Sequence, residues 1–331
     1  MNFARNAHTA SVFINGKVLI AGGVGISDGL NSAELYDPST EVWTKTGSMS
    51  DARYFHTAST LSNGKVLIAG GNGYSGYLNS AELYDPSAGV WTKTGNMSDA
   101  RYGFTASILS NGKVLAAGGY GYSGYLNSAE LYDPSTGVWT KIENMSIARY
   151  FHTTSILTNG KALLAGGMNN ASYANITELY DPSTGVWTKT GNMSSGRYFH
   201  TASTLGNGKV LIVGGYGYSG YLNSAELYDP STGVWTKTGN MNNGRYFHTA
   251  STLGNGKVLA AGGEYGNSGY GNSGYLNSAE LYDPSTGVWT KIGNMSIDRY
   301  IHAASMLTNG KILITGGYGF SGQTNSAELY A

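Results

Sequence analysis

Residues 53–97 carry Arg53-Tyr54-Phe55-His56-Thr57-Ala58-Ser59-Thr60-Leu61, then Asn63-Gly64-Lys65-Val66-Leu67-Ile68-Ala69-Gly70-Gly71, then Asn79-Ser80-Ala81-Glu82-Leu83-Tyr84-Asp85-Pro86, and last Val90-Trp91-Thr92-Lys93 on the way to Met97. The spacing predicts four strands, over 53–61, 65–71, 79–84 and from 90 onward. Asn63-Gly64 takes φ > 0 readily at both central positions of a turn, the strongest short signal for a two-residue hairpin. Asp85-Pro86 opens a second tight turn, with Pro fixing φ at its second position. The segments 72–78 and 95–100 are longer and rich in Gly, Ser and Asn. They therefore gather at the opposite end of the sheet from the two tight turns.

This unit occurs seven times. Its Gly-Gly pairs fall at 22/23, 70/71, 118/119, 166/167, 214/215, 262/263 and 316/317, a spacing of 48 five times and then 54. The six extra residues lie in a second Tyr-Gly-Asn-Ser-Gly between Tyr265 and Gly274, in a loop that tolerates length. The first strand is built of small residues and the fourth presents Trp, so each sheet is thin at one edge and thick at the other. The second strand, Val66-Leu67-Ile68-Ala69, is apolar without alternation, as expected of a strand covered on both faces. Wedge-shaped sheets covered on both faces stack around an axis, which also protects their edges. The expected fold is all-β, one domain over 1–331, a seven-bladed β-propeller. Met1 aligns with Met49 and the chain closes on the third strand of the last unit. That blade is predicted three-stranded, with 325–330 as an exposed edge unless a longer natural chain supplies the outer strand.

Gly-Gly, the Tyr of Glu-Leu-Tyr-Asp-Pro and the Trp of Val-Trp-Thr, recurring in register near every 50 residues, resemble the kelch repeat. The resemblance covers all seven units and implies a propeller, in agreement with strand size and turn chemistry.

Only 12% of the residues are charged, against roughly 25% in ordinary domains, and 20 basic residues balance 20 acidic ones. The basic footprint of a nucleic-acid or anionic-membrane binder is missing. No apolar run approaches a membrane span, and 1–5 lacks the pattern of a signal peptide. The compartment stays open. With no cysteine there are no disulfides, thiolate nucleophiles or Cys-based zinc sites.

Several repeated residues are candidates for function. Gly71-Asn72-Gly73-Tyr74-Ser75-Gly76 matches a dinucleotide fingerprint in letters, but a strand follows where that fingerprint needs a helix. His8, His56, His152, His200, His248 and His302 share one repeat position near the axis, with Phe104 in the seventh. They are weak metal candidates and fit a scaffold role better, because they keep the symmetry that a functional site breaks. The Arg-x-x-His-Thr segment, followed by Asn-Gly-Lys-Val and Gly-Gly, also resembles galactose oxidase, whose copper-radical site uses a Cys-linked Tyr. Without cysteine that cofactor cannot form, and no cofactor is expected.

Arg5, Arg53, Arg101, Arg149, Arg197, Arg245 and Arg299 match in number Glu34, Glu82, Glu130, Glu178, Glu226, Glu280 and Glu328. Two readings stand: ion pairs between blades that fix register, or arginines ringing the channel mouth to hold an acidic group. The loops between second and third strands hold half of the 26 tyrosines, among them Tyr74, Tyr77, Tyr122, Tyr125, Tyr218, Tyr221, Tyr270 and Tyr275. Tyr among Gly, Ser and Asn resembles a binding paratope; the other reading is that each Tyr packs on the next blade.

The expected function is a non-enzymatic, monomeric scaffold that binds a protein segment or glycan through this loop face, with edge-strand association through the last blade. Two alternatives stay open. One is a carbohydrate-active kelch enzyme, an oxidase or mutarotase, which would need an asymmetric acid/base pair that the scattered Glu143, Glu264, Asp28, Asp51, Asp99 and Asp298 do not form. The other is a repeat-amplified or engineered propeller with no selected ligand.

Overall fold

A computed structural model describes residues 1–266 and 273–330. All of its regular elements are strands, and among these residues no helix is long and apolar enough to cross a membrane. The second unit shows the plan: Thr57–Thr60, Val66–Ala69, Ala81–Asp85 and Val90–Lys93 pair antiparallel in chain order. Six such four-stranded sheets are followed by a three-stranded one, Ala303–Met306, Ile312–Thr315 and Ala327–Tyr330. The inner strands pack against one another in a closed circle, first against last. The chain is a seven-bladed propeller whose last blade has three strands.

The second strand is buried at all four positions in every blade, as its unbroken apolar pattern requires. Between blades the core is shared: Leu67, Ala69 and Met97 of one blade pack with Val114, Ala116 and Tyr132 of the next. Farther out, Tyr84 meets Trp91 of its own blade with ring centroids 4.9 Å apart, and its hydroxyl bonds Thr46 of the previous blade at 2.7 Å. The Trp91 indole donates to the Gly47 carbonyl at 2.7 Å.

The Gly-Gly pair marks the closest approach between blades. Gly118 has φ +66°, and a Cβ there would stand 2.5 Å from the Arg149 carbonyl oxygen of the next blade. Gly112, at φ +79°, has nothing within 4 Å of the same atom. Gly112→Ala should therefore cost only the backbone strain of a left-handed residue, about 1–2 kcal/mol, and Gly118→Ala at least about 2 kcal/mol more. Urea denaturation of the two variants checks the difference.

Closure between the first and last blades is non-covalent. The Gly317 amide donates to the Arg5 carbonyl at 2.8 Å, the Met1 ammonium to the Asn325 carbonyl at 3.0 Å, and His8 pairs with Thr315 at 3.0 Å. The Met1 thioether carbon stands over Gly316 as that of Met49 stands over Gly22. The structure also adds an element that the loop composition hid. Five of the long loops fold as small hairpins, for example Asn72–Gly73 with Gly76–Tyr77 and Tyr216–Gly217 with Gly220–Tyr221.

Candidate functional site

The residue before each histidine position sits closest to the axis. Ala7, Phe55, Phe151, Phe199, Phe247 and Ile301 all hold φ between 49° and 54°, and Gly103 holds 61° in the remaining blade. That conformation is strained for bulky side chains. Blade-to-blade hydrogen bonds hold it: the Phe55 amide donates to Ala7 at 3.2 Å, Phe151 to Gly103 at 2.8 Å and Ala7 to Ile301 at 3.1 Å. The turn aims the rings inward. Phe199 packs on Phe151 and Phe247 at centroid distances of 3.7 and 3.6 Å, and Phe55 lies 6.0 Å from Phe247. Together with the histidines these rings line an axial hollow of about 240 Å³.

The histidines are stitches between blades. Nε2 of His56, His152, His200, His248 and His302 pairs at 2.9–3.0 Å with the hydroxyl of Thr9, Thr105, Thr153, Thr201 and Thr249 in the preceding blade. Burial drives their pKa values down, to about 3 for His56, His200 and His302. A neutral imidazole whose Nε2 is already engaged is a poor free ligand, and among the described residues no three of His, Asp and Glu are placed to hold a metal ion. The copper-radical arrangement does not fit: phenylalanine, alanine or isoleucine stands where an aromatic hydroxyl ligand would be needed, and its backbone is taken up in the ring.

The arginines pair with the glutamates, but not across blades and not at the channel mouth. Each pair lies within one blade. Arg101 Nη2 donates to Glu130 Oε1 at 2.9 Å and its Nη1 donates to the Gly118 and Ser128 carbonyls at 2.8 and 3.0 Å; both side chains are 0% exposed. The other glutamate oxygen accepts the Ser98 amide at 2.8 Å, so the pair clamps the incoming linker onto its own sheet. With Arg53, Arg101, Arg149, Arg197, Arg245 and Arg299 all fully buried, the expectation that they meet an acidic ligand is corrected. Nη1 and Nη2 of each guanidinium are taken up by carboxylate and carbonyl oxygens beneath the surface, while Nε is buried without a partner among the described residues.

The loop tyrosines divide into two sets. Tyr77, Tyr125, Tyr221 and Tyr275 lean on the next blade's Tyr102, Tyr150, Tyr246 and Tyr300, with centroids 5.2, 5.9, 5.6 and 4.8 Å apart. Tyr74, Tyr122 and Tyr218 stand at the hairpin tips, 95%, 72% and 74% exposed, and Phe320 completes them at 71%. Tyr270 lies outside the described residues. Sequence reasoning missed the middle ring, Tyr54, Tyr102, Tyr150, Tyr198, Tyr246 and Tyr300, although its signal was present as an Arg-Tyr dipeptide repeated six times. Burial pushes the hydroxyls of Tyr198 and Tyr300 up to about 12, the neighbouring tyrosines adding to it. The face is thus concentric: phenylalanines at the axis, a half-buried tyrosine ring, and exposed aromatic tips.

Glu264 breaks this pattern. It replaces the Tyr120 and Tyr216 of other blades and accepts a hydrogen bond from the Tyr221 hydroxyl at 2.9 Å.

The family model described as the KLHDC2/KLHL20/DRC7 Kelch-repeats domain matches residues 7–195 and 144–317. Among solved structures, one similar in fold is described as a novel fungal alcohol oxidase with catalytic diversity among the AA5 family, in complex with copper. It is 20% identical, with a TM-score of 0.80 over 99% of this chain and 74% of that one. At that identity the likeness concerns the propeller alone. No curated protein sequence matches the chain.

Proposed function

The chain belongs to the kelch-repeat family, and from that premise we propose that it is a non-enzymatic recognition propeller that binds a protein segment or glycan on its tyrosine face. One observation carries the reading: the four most exposed aromatic side chains among the described residues, Tyr74, Tyr122, Tyr218 and Phe320, all cap hairpins on the same face, above a ring of packed tyrosines. Exposed aromatic groups on a pre-ordered base lose little entropy on binding, which is how such side chains become energetic anchors. The chemistry of catalysis has no comparable support, since the repeated His and Arg are engaged in the scaffold.

The test is a peptide-display selection run beside a glycan array, using wild type and the Y74A/Y122A/Y218A triple variant. Ligands recovered with wild type should bind the triple variant at least tenfold more weakly, because each tip contributes about 1 kcal/mol or more. Unchanged binding, or stoichiometric copper or iron in the purified protein, overturns the reading.

A further inference from the structure

Between the fourth and fifth blades the tyrosine face holds a hollow of about 360 Å³. This lies within the range of roughly 300–1,000 Å³ of small-molecule sites. It is the place where three departures from the repeat meet. The first is the loop 168–174, which replaces the usual Gly-Tyr-Ser-Gly hairpin. The second is Ser195, where the equivalent positions carry Asp51, Asp99, Ile147, Asn243 and Ile297. The third is Gly196, in place of Ala52, Ala100 and Ala148 and shared only with Gly244 at the next boundary; a Cβ there would fall onto the Tyr173 carbonyl, as one at Gly244 would onto that of Tyr221, so the closeness of the two segments depends on this glycine. Bulk and charge are removed at this boundary at once.

What remains is lined by hydroxyl groups and aromatic rings. Ser172, Ser194, Ser195 and Ser219 contribute Oγ atoms, and Tyr173 and Tyr218 contribute phenols. None of these six hydroxyls bonds another protein group among the described residues; Ser172 and Ser194 engage only their backbone, the Ser172 amide donating to Asn169 Oδ1 and its carbonyl accepting the Asn169 amide, and the Ser194 amide donating to Glu226. The rings of Tyr173 and Tyr218 meet edge to face, with centroids 5.1 Å apart and planes at 71°, while the far side of Tyr173 stacks on Tyr198. Tyr173 is thereby fixed, and Tyr218 presents a free surface in water. No charged side chain lines the hollow.

We propose that this hollow is a subsite for one neutral sugar ring, whose hydroxyls exchange hydrogen bonds with the serine and tyrosine hydroxyls while its C–H face lies on Tyr218. Hydroxyls act as donor and acceptor together and so complement a ligand made of the same groups. The aromatic plane takes the apolar face of the ring. A carboxylate or ammonium ligand would enter without a counter-charge. The inference rests on the tyrosine face being a recognition surface and names what one part of it takes.

Saturation-transfer NMR with the methyl glycosides of galactose, glucose, mannose and N-acetylglucosamine tests it, with the methyl glycoside of glucuronic acid as the charged control. At least one neutral glycoside should receive saturation on its ring C–H protons, and the glucuronide should not. The same sugar at the end of an oligosaccharide separates a chain terminus, which binds more tightly, from a free sugar, which binds equally; either supports the subsite. Tyr218→Ala should weaken binding about tenfold. Ser195→Ile installs the residue of the third-to-fourth blade boundary, so the variant should fold, and it should abolish binding by filling the hollow. Absence of transfer from every neutral glycoside, or transfer untouched by Ser195→Ile, overturns the proposal. If that occurs while the Y74A/Y122A/Y218A variant still loses its displayed ligand, only the sugar subsite falls and the recognition face stands.

Discussion

Lowering the pH from 7 to 5 is expected to unfold the propeller, well before its carboxylates are protonated. Six histidines are buried in the stitches between blades, and burial lowers every one of their pKa values, to about 3 where His56, His200 and His302 are concerned. In the unfolded chain they return to about 6.5. Between those two values the unfolded state binds more protons, so stability rises with pH through this window. It is fully present above about pH 6.5 and falls as the pH drops toward 3. At pH 5 each of these three histidines costs about 2 kcal/mol, about 6 kcal/mol together, and His8, His152 and His248, lowered in the same direction, add to the loss. A typical domain has about 5–15 kcal/mol in total. Glu34 and Glu280, whose pKa values are lowered by hydrogen bonds and by the neighbouring arginines, contribute stability that is lost only below about pH 4.5. Among side chains, loss above that pH therefore belongs to histidine, and the Met1 amine, whose pKa is lowered by burial, adds to it.

The third blade supplies the control, because Phe104 fills the histidine position there and is itself buried. His200→Phe with His248→Phe should forfeit two threonine hydrogen bonds at pH 7, about 1 kcal/mol each. In return it should move the acid midpoint to lower pH, since two protonation sites are gone. Circular dichroism and tryptophan fluorescence across pH 3–8 read both effects. A wild-type midpoint below pH 4, or a double variant with the same midpoint as wild type, would refute this role for the histidines.

Much of the architecture could be read in the chain because the same solution is written seven times. Asn63-Gly64, Asp85-Pro86 and the unbroken Val66-Leu67-Ile68-Ala69 each specify local geometry, and repetition removes the ambiguity of any single copy. The three-stranded last blade was legible for the same reason: the seventh unit carries no Trp-bearing strand where the other six do. Direction across the blade was not. Pairing of Arg with Glu followed from their equal numbers, yet whether a pair lies within or between blades depends on where a long side chain reaches over a twisted sheet, and spacing carries no such information. The inward phenylalanines were hidden too, since a non-glycine residue at φ near 50° looks like any other strand residue in sequence. On the face, composition identified the tyrosines but could not sort them. Tyr74 and Tyr77 differ by three positions in one hairpin, and only its geometry makes one a tip and the other a wedge against Tyr102.

Glu226→Ala is expected to cost about 3–5 kcal/mol, more than any exposed substitution in the molecule. Its partner Arg197 is fully buried, with Nη1 donating to the Gly214 and Ser224 carbonyls at 2.8 and 3.0 Å and Nη2 donating to Ser224 Oγ and Glu226 Oε1 at 3.0 and 2.9 Å. Removing the carboxylate leaves a guanidinium charge in a place with no water, and it also orphans the Ser194 amide that Glu226 accepts at 2.7 Å. The same change at Glu328 should cost markedly less, because that side chain is 20% exposed beside the missing outer strand, against 2% for Glu226. The double variant Arg197→Met with Glu226→Leu separates charge from packing: with no buried ion left to solvate, most of the lost stability should return. It cannot return fully, since the Gly214 and Ser224 carbonyls lose their donor and the linker loses its clamp. Urea denaturation of the four proteins decides the matter. Equal costs at Glu226 and Glu328 would show that water reaches the buried pair, and a double variant no more stable than Glu226→Ala would show that the hydrogen bonds to the backbone, not the charge, carry the clamp.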